Sequence, residues 1–164
     1  MRRTTRSVLA VTALAVPHKG GRTFGYRLTD DDGTVVYVPD HLPAGGGPER
    51  DAVIGLLDGA DLLIHDSQFV TSELRLADDY GHSTIDQATS LAVEAGVAEL
   101  VLFHHAPGRT DAQLDRIHDE LDHRRLRGLG TTVRLGCEGD EFSVGTGRQR
   151  SAAQTAEVVA RPAR

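Results

Sequence analysis

The sequence predicts an α/β fold with the element order βββ-αβ-αβ-αβ(β). Two observations support it: unbroken apolar runs typical of buried strands alternate with segments of helical periodicity, and three strand patterns precede the first helix. The 164 residues are about one domain in length. With no tryptophan and only 4% aromatic residues, the core must be aliphatic.

The first part of the chain predicts three strands and a loop. An apolar run at residues 8–16 favours a strand, and residues 23–40 contain two alternating runs joined by the turn sequence Asp30-Asp31-Asp32-Gly33. Arginines precede the first run, so a secretory signal at residues 1–16 is the alternative interpretation. A Gly/Pro-rich loop follows at residues 41–50.

The middle of the chain predicts two helices around a buried strand. Pro48–Leu57 suits a short helix, and residues 60–66 form an apolar run. Residues 67–80 are either irregular or a helix with frayed ends. The next helix has the clearest signals, because Thr84 and Gln87 have capping-box spacing and Gly96 supplies a C-terminal cap.

The last third predicts a strand, a helix and one or two further strands. The strand covers residues 99–103, and the helix runs from the capping-box pair Thr110 and Gln113 to about residue 127. Residues 131–145 hold the final strand pattern. We expect a single α/β domain over residues 1–145 and a disordered tail over residues 146–164.

Charge and cysteine content exclude several classes of protein. The net charge of −6 and the pI near 5.7 give no global field for nucleic acid or anionic lipid. Cys137 is the one cysteine, which excludes an internal disulfide and a thiolate-rich zinc site. No apolar run has the length needed to cross a membrane, and we expect a cytoplasmic protein, or an exported one if residues 1–16 are a signal.

Histidine and aspartate follow three of the predicted strands. The pairs are Asp40-His41, His65-Asp66 and His104-His105. Parallel neighbouring strands would bring these pairs to one edge of the sheet, where ligands bind in α/β folds. Imidazole and carboxylate groups together suit zinc or a similar divalent ion. Taken singly, each of these residues could instead be a hydrogen-bonded loop residue with no role in metal binding.

Five blocks in this order resemble a known family: VPHKGGRTFGYRL, VVYVPDH, ADLLIHDSQF, YGHST and LVLFHHAPGRTD. Together they are similar to the C-terminal half of metallo-β-lactamase-fold hydrolases, in the branch that contains tRNase Z and small-molecule phosphodiesterases. The resemblance covers about residues 8–144. It implies one half of an αββα sandwich.

The resemblance also implies roles for individual residues. His18, Asp40 and His104 match the metal ligands, with Asp40 bridging two ions. His82 matches a histidine that assists proton transfer, and Asp66 stands beside it as a catalytic candidate. The residues expected to support the ligands are His65, His105 and Asp111, and Arg109 is a candidate substrate contact.

The family's His-x-His-x-Asp-His signature is absent, although it provides most ligands for the two Zn²⁺ ions of the complete site. Residues 1–17 contain neither histidine nor aspartate. We therefore expect an incomplete site for Zn²⁺, Mn²⁺ or another divalent ion, and a sheet face without its covering half.

Two hypotheses about function follow. In the first, the chain is the C-terminal portion of a binuclear zinc hydrolase. A metal-bound hydroxide would attack the phosphodiester bond of a small molecule or of RNA, and the missing half would come from an upstream segment or a partner subunit. In the second, the half-domain is a non-catalytic binding module or a homodimer that uses its uncovered sheet.

Overall fold

A computed structural model describes residues 8–124 and 130–144 and confirms the α/β class and the order of elements. Six strands form one sheet in the order β1 to β6. The strands are β1 (Ala10–Val16), β2 (Thr23–Thr29), β3 (Thr34–Val38), β4 (Leu62–Asp66), β5 (Glu99–Phe103) and β6 (Thr132–Leu135). The helices are α1 (Pro48–Leu57), α2 (Leu74–Tyr80), α3 (Ile85–Glu94) and α4 (Asp111–Arg124).

The direction of the strands explains where the polar residues gather. β1, β2 and β3 are antiparallel, whereas β3, β4, β5 and β6 are parallel neighbours. The carboxyl ends of β3, β4 and β5 therefore lie along one edge of the sheet. This arrangement is the one that the sequence pattern predicts for the three strand-end pairs.

The hydrophobic core lies between one face of the sheet and helices α1 and α3. Val36, Leu63 and Leu100 occupy matching positions on adjacent strands and are fully buried. Ile117 and Leu121 of α4 pack against the edge of the same core. Burial of these aliphatic groups, at about 25 cal/mol per Å², is the main stabilising contribution to the fold.

The opposite face of the sheet has no helix over it among the described residues. Because side chains alternate along a strand, Val35 and Ile64 point away from the helices, and both stay partly exposed. Val11 is 59% exposed on the same face. Phe142 and Val144 line one end of the resulting groove. The uncovered apolar face that the sequence predicts is thus present in this part of the chain.

The ends of α3 show why this helix is readable from sequence. Thr84 Oγ1 accepts a hydrogen bond from the Gln87 amide, and the Gln87 side chain accepts one from the Thr84 amide. At the other end Gly96 has a φ of 66°, and the amides of Gly96 and Val97 bond to the carbonyls of Val93 and Ala92. These bonds form a Schellman motif, which satisfies the last carbonyl groups of the helix.

Three other predictions have mixed outcomes. Residues 67–80 contain a 3₁₀ turn at Thr71–Glu73 and then helix α2, which matches the helical alternative. At α4 only half of the capping box forms, because the Gln113 side chain accepts from the Thr110 amide while the Gln113 amide bonds to the Thr110 carbonyl. The predicted end of α4 near residue 127 and the predicted tail at 146–164 lie outside the described residues.

A membrane-spanning helix is not found within the described ranges, where every helix is too short or too polar.

Candidate metal site at the carboxyl ends of the strands

Polar side chains from three strand ends and two loops meet at one edge of the sheet. Asp40 follows β3, Asp66 ends β4 and His104 follows β5. His82 comes from the loop before α3, and His18 comes from the loop after β1. In the described part of the chain, Asp40, His82 and His104 form the one group of three or more histidine, cysteine or carboxylate residues that could hold a metal ion. Their candidate ligand atoms all lie within 4.8 Å of one another.

Asp40 and His104 have the spacing of two ligands on one metal ion. His104 Nδ1 lies 3.2 Å from Asp40 Oδ1. Two ligand atoms on a tetrahedral ion with bonds near 2.0 Å are about 3.3 Å apart. His104 Nδ1 is buried and forms no hydrogen bond of regular geometry, although Asp40 Oδ1 and Asp66 Oδ1 lie 3.2 and 3.5 Å away. An unpartnered buried nitrogen beside carboxylate oxygens fits a divalent ion in chemistry and spacing.

The backbone at His104 is held in an unusual conformation. Its φ is 62°, and it is the one non-glycine residue with positive φ among the described residues. This left-handed conformation costs about 1–3 kcal/mol unless the surroundings fix it. The side-chain amide of Gln68 lies 3.3 Å from His104 Nε2 and helps to fix the ring. In this conformation the imidazole lies beside Asp40 and Asp66.

Asp66 is a fully buried carboxylate that joins the segments of the site. Its Oδ2 accepts hydrogen bonds from the amides of His41 and Ser83 and from His82 Nδ1, at 3.0, 3.1 and 2.9 Å. Its Oδ1 accepts from the Gln68 amide at 3.1 Å. One carboxylate thus ties the end of β3, the end of β4 and the loop before α3 together.

His82 and His18 lie next to each other beside this carboxylate. Their ring centroids are 5.0 Å apart, and the centroids of His82 and His104 are 4.8 Å apart. His18 Nδ1 donates to the Gly81 carbonyl at 2.8 Å, which leaves Nε2 as the nitrogen with a free lone pair. Gly81 has a φ of 85°, and a Cβ there would lie 2.4 Å from the Lys19 amide nitrogen. Only glycine allows the two loops to approach this closely.

The charges of the site act on one another. Burial alone would raise the pKa of Asp66, but the neighbouring His104 imidazole, the His82 ring and the amides of His41 and Ser83 outweigh it and lower the pKa. Asp66 accordingly raises the pKa of His104, against the opposing effect of burial, and Asp40 adds to the rise. A bound cation would replace the proton on His104, since metal ligands must be deprotonated.

Behind the site, His41 and His65 form a pair that the sequence did not reveal. The two residues are 1% and 0% exposed, and His41 Nδ1 lies 3.1 Å from His65 Nε2. Burial lowers the pKa of His41 to about 3, helped by the nearby His65, and burial also lowers the pKa of His65. Both rings are therefore neutral in the folded protein.

The metal-free protein should lose stability when the solution is acidified below about pH 6.5. In the unfolded chain His41 and His65 take up protons near their ordinary pKa of about 6.5. In the folded chain their pKa values are lower, so the two rings stay neutral at the same pH. The raised pKa of His104 acts in the opposite direction and offsets part of the loss. Down to about pH 5, His41 alone should lower the free energy of unfolding by roughly 2 kcal/mol.

Urea unfolding at several pH values, with EDTA present, measures this slope. The His41→Asn variant is the control, because it lacks one titrating ring and should show a smaller decrease. A free energy of unfolding that stays constant or rises on acidification would contradict neutral burial of the pair.

Four of the residues predicted from sequence lie away from the central cluster. His105 Nε2 donates to the Gly136 carbonyl at 3.1 Å, and burial lowers its pKa. Asp111 is exposed in the first turn of α4. Arg109 pairs with Glu73 at 2.7 Å and donates to the Gln68 carbonyl. His65 faces His41 and bonds to the backbone carbonyl of Asp66.

The fold and this arrangement define the class of protein. The family described as "Beta-lactamase superfamily domain" matches residues 2–105, so the chain belongs to the β-lactamase superfamily. Within it, the chain has the metallo-β-lactamase fold and is similar to ribonuclease Z proteins. This assignment confirms the family that the five sequence blocks resemble.

Three relatives illustrate the similarity. Ribonuclease Z of Bradyrhizobium sp. (strain ORS 278) is 36% identical over 147 residues, which are 82% of this chain and 46% of the relative. The metallo-β-lactamase-fold protein YhfI from Bacillus subtilis has a TM-score of 0.62 at 26% identity, covering 82% of this chain and 51% of that one. The human short-form tRNase Z shares the fold, with a TM-score of 0.60 at 20% identity over 83% of this chain and 43% of its own length.

The chain spans about half the length, or less, of these relatives.

Proposed function

We propose that the chain contributes the C-terminal half of a metal-dependent hydrolase that cleaves phosphodiester bonds. The observation that carries this proposal is the 3.2 Å spacing of His104 Nδ1 and Asp40 Oδ1, with the nitrogen buried and unpartnered. Asp40 and His104 would hold a divalent ion, and His18, whose ring lies 5.0 Å from that of His82, is a further candidate ligand through Nε2. Zinc is the ion that this mixture of imidazole and carboxylate favours, and Mn²⁺ is the alternative.

A divalent ion in such a site polarises a phosphoryl oxygen and lowers the pKa of a coordinated water. The residues of this chain supply the remaining functions. His82 Nδ1–H donates a hydrogen bond to Asp66 Oδ2, which fixes the tautomer of His82 and leaves Nε2 for a substrate or water. In this form Nε2 could first take a proton from a water molecule, and the imidazolium, held by Asp66 through Nδ1–H, could then give that proton to the departing oxygen. The 12% exposure of its side chain allows contact with a substrate.

The substrate class rests on the relatives. Ribonuclease Z proteins from several bacteria match this chain, which favours RNA as the phosphodiester substrate. The acidic net charge of −6 offers little general attraction for a polyanion. Recognition of RNA would then depend on contacts local to the site or on residues outside this chain.

Asp40 and His104 are the two described residues with the spacing of ligands on one ion, and two ligands are fewer than a tight zinc site requires. Closed zinc sites have four protein ligands, and catalytic ones have three plus water. We propose that further ligands come from a second α/β layer that packs on the uncovered sheet face near Val35 and Ile64. Such a layer could belong to a longer polypeptide or to a partner subunit. The zinc site of the isolated chain should accordingly be weak.

Hydrolysis of bis(p-nitrophenyl) phosphate and of a short RNA by the zinc-loaded chain tests the proposal. We expect slow hydrolysis that EDTA abolishes, and a decrease of about 100-fold in His82→Ala with zinc binding retained. His118→Ala, which changes an exposed histidine on α4, is the matched control and should keep the wild-type rate.

Zinc binding without any hydrolysis would contradict catalysis by this chain. It would favour the second candidate, a non-catalytic half-domain that binds a partner through the open sheet face. The exposure of Val11 and the groove beside Phe142 are the observations that support this alternative.

A further inference from the structure

Four buried polar residues form a closed hydrogen-bond network directly behind the candidate metal site. His41, His65, Asp66 and Ser83 are each at most 2% exposed. They come from three separate segments: the residues after β3, the end of β4 and the loop before α3. Polar groups this deep in a protein are costly unless each finds a partner, and here the partners are each other.

The direction of each bond follows from which groups can donate. The Asp66 carbonyl can only accept, so His65 Nδ1, at 2.7 Å, must carry the proton. A neutral His65 then has a bare Nε2, and His41 Nδ1 must donate to it at 3.1 Å. The His41 amide donates to Asp66 Oδ2 at 3.0 Å and closes the ring. Both imidazoles are therefore Nδ1–H tautomers.

Ser83 connects this ring to the third segment. Its hydroxyl donates to the His41 carbonyl at 2.7 Å, and its amide donates to Asp66 Oδ2 at 3.1 Å. The loop before α3 is thereby tied to both strand ends through groups that are buried on all sides.

The network adjoins each residue of the metal-site cluster. Asp40 precedes His41 in the chain, and His82 precedes Ser83. Asp66 contacts His82 at 2.9 Å and His104 at 3.5 Å. A shift of any network member would consequently move Asp40, His82 or His104. The side chain of His41 itself points into the protein and contacts His65.

We propose that His41, His65 and Ser83 are positioning residues that hold Asp40 and His104 at metal-binding distance, with His82 beside them, through this closed network. The inference rests on the proposed function, because it assigns a purpose to the network only if the cluster binds a metal ion. Supporting hydrogen bonds of metal sites typically change metal affinity by about 10- to 100-fold when removed.

Zinc titration of the intact chain and of three variants tests the proposal. His41→Leu removes the donor to His65, and we expect zinc affinity to decrease by about tenfold or more. His41→Asn keeps a donor at the position of Nδ1 and should restore most of the affinity. Leu100→Ala, a change at a fully buried core residue of β5, is the matched control for general destabilisation. It should leave zinc affinity unchanged.

Nitrogen NMR of the histidine rings gives a second measurement that needs no metal. We expect protonated Nδ1 and bare Nε2 in both His41 and His65 of the zinc-free protein. This measurement also keeps the proposal testable if His41→Leu does not fold.

The outcomes separate the two proposals. Equal zinc affinity in wild type and His41→Leu, or equal loss in Leu100→Ala, would overturn the positioning role. Nε2–H tautomers at His41 and His65 would overturn the network itself. If the wild-type chain binds no zinc but shows the expected tautomers, the proposed function fails for this chain while the network stands as a structural feature.

Discussion

The Asp66→Asn variant should be less stable than the wild type by about 3–5 kcal/mol, as expected when one partner of a buried charged group is removed. The Asp66 carboxylate accepts four hydrogen bonds, from His82 and from the amides of His41, Gln68 and Ser83. An asparagine side chain has one acceptor oxygen, so its amide group would face at least one of these donors. Urea unfolding at neutral pH measures the difference.

Asp61→Asn is the matched control for this variant. Asp61 is exposed, and its Oδ2 accepts one hydrogen bond from the Thr34 amide at 2.8 Å. An asparagine can keep that bond through its amide oxygen, so the change should stay within about 0.5 kcal/mol. Equal stability of Asp66→Asn and wild type would show that the carboxylate does not join the three segments.

The Asp40→Ala variant should bind zinc about 100-fold more weakly than the wild type. Asp40 supplies the oxygen closest to His104 Nδ1, at 3.2 Å. Among the described residues, the other carboxylate beside this nitrogen is Asp66, which already accepts four hydrogen bonds. Its side chain is 38% exposed, so its removal should have little effect on the stability of the metal-free chain.

Calorimetric titration with Zn²⁺ measures this change, with Asp58→Ala as the control. Asp58 is an exposed carboxylate at the end of α1 and should not affect zinc affinity. Unchanged affinity in Asp40→Ala, or an equal loss in Asp58→Ala, would mean that zinc binds elsewhere on the surface.

The location of the site could be predicted from sequence because it depends on regular structure. Parallel strands β3, β4 and β5 each end in a polar pair, and parallel pairing places these ends on one edge. The cap of α3 has a local signature in Thr84 and Gln87, since both bonds lie within four residues.

The internal organisation of the site could not be predicted in the same way. Asp66 bonds to groups 16 to 25 residues away in sequence, at His82, Ser83 and His41, and no spacing rule links them. The inward orientation of His41 depends on the turn after β3, where strand alternation no longer applies. Arg109 is also paired with Glu73, a contact that requires the position of the turn before α2.

Anomalous diffraction at the zinc edge, from crystals of the zinc-loaded chain, locates the bound ion. We expect a peak at about 2.0–2.2 Å from both Asp40 Oδ1 and His104 Nδ1. A zinc peak at Cys137 or His118 alone, or no ordered zinc at the sheet edge, would contradict it.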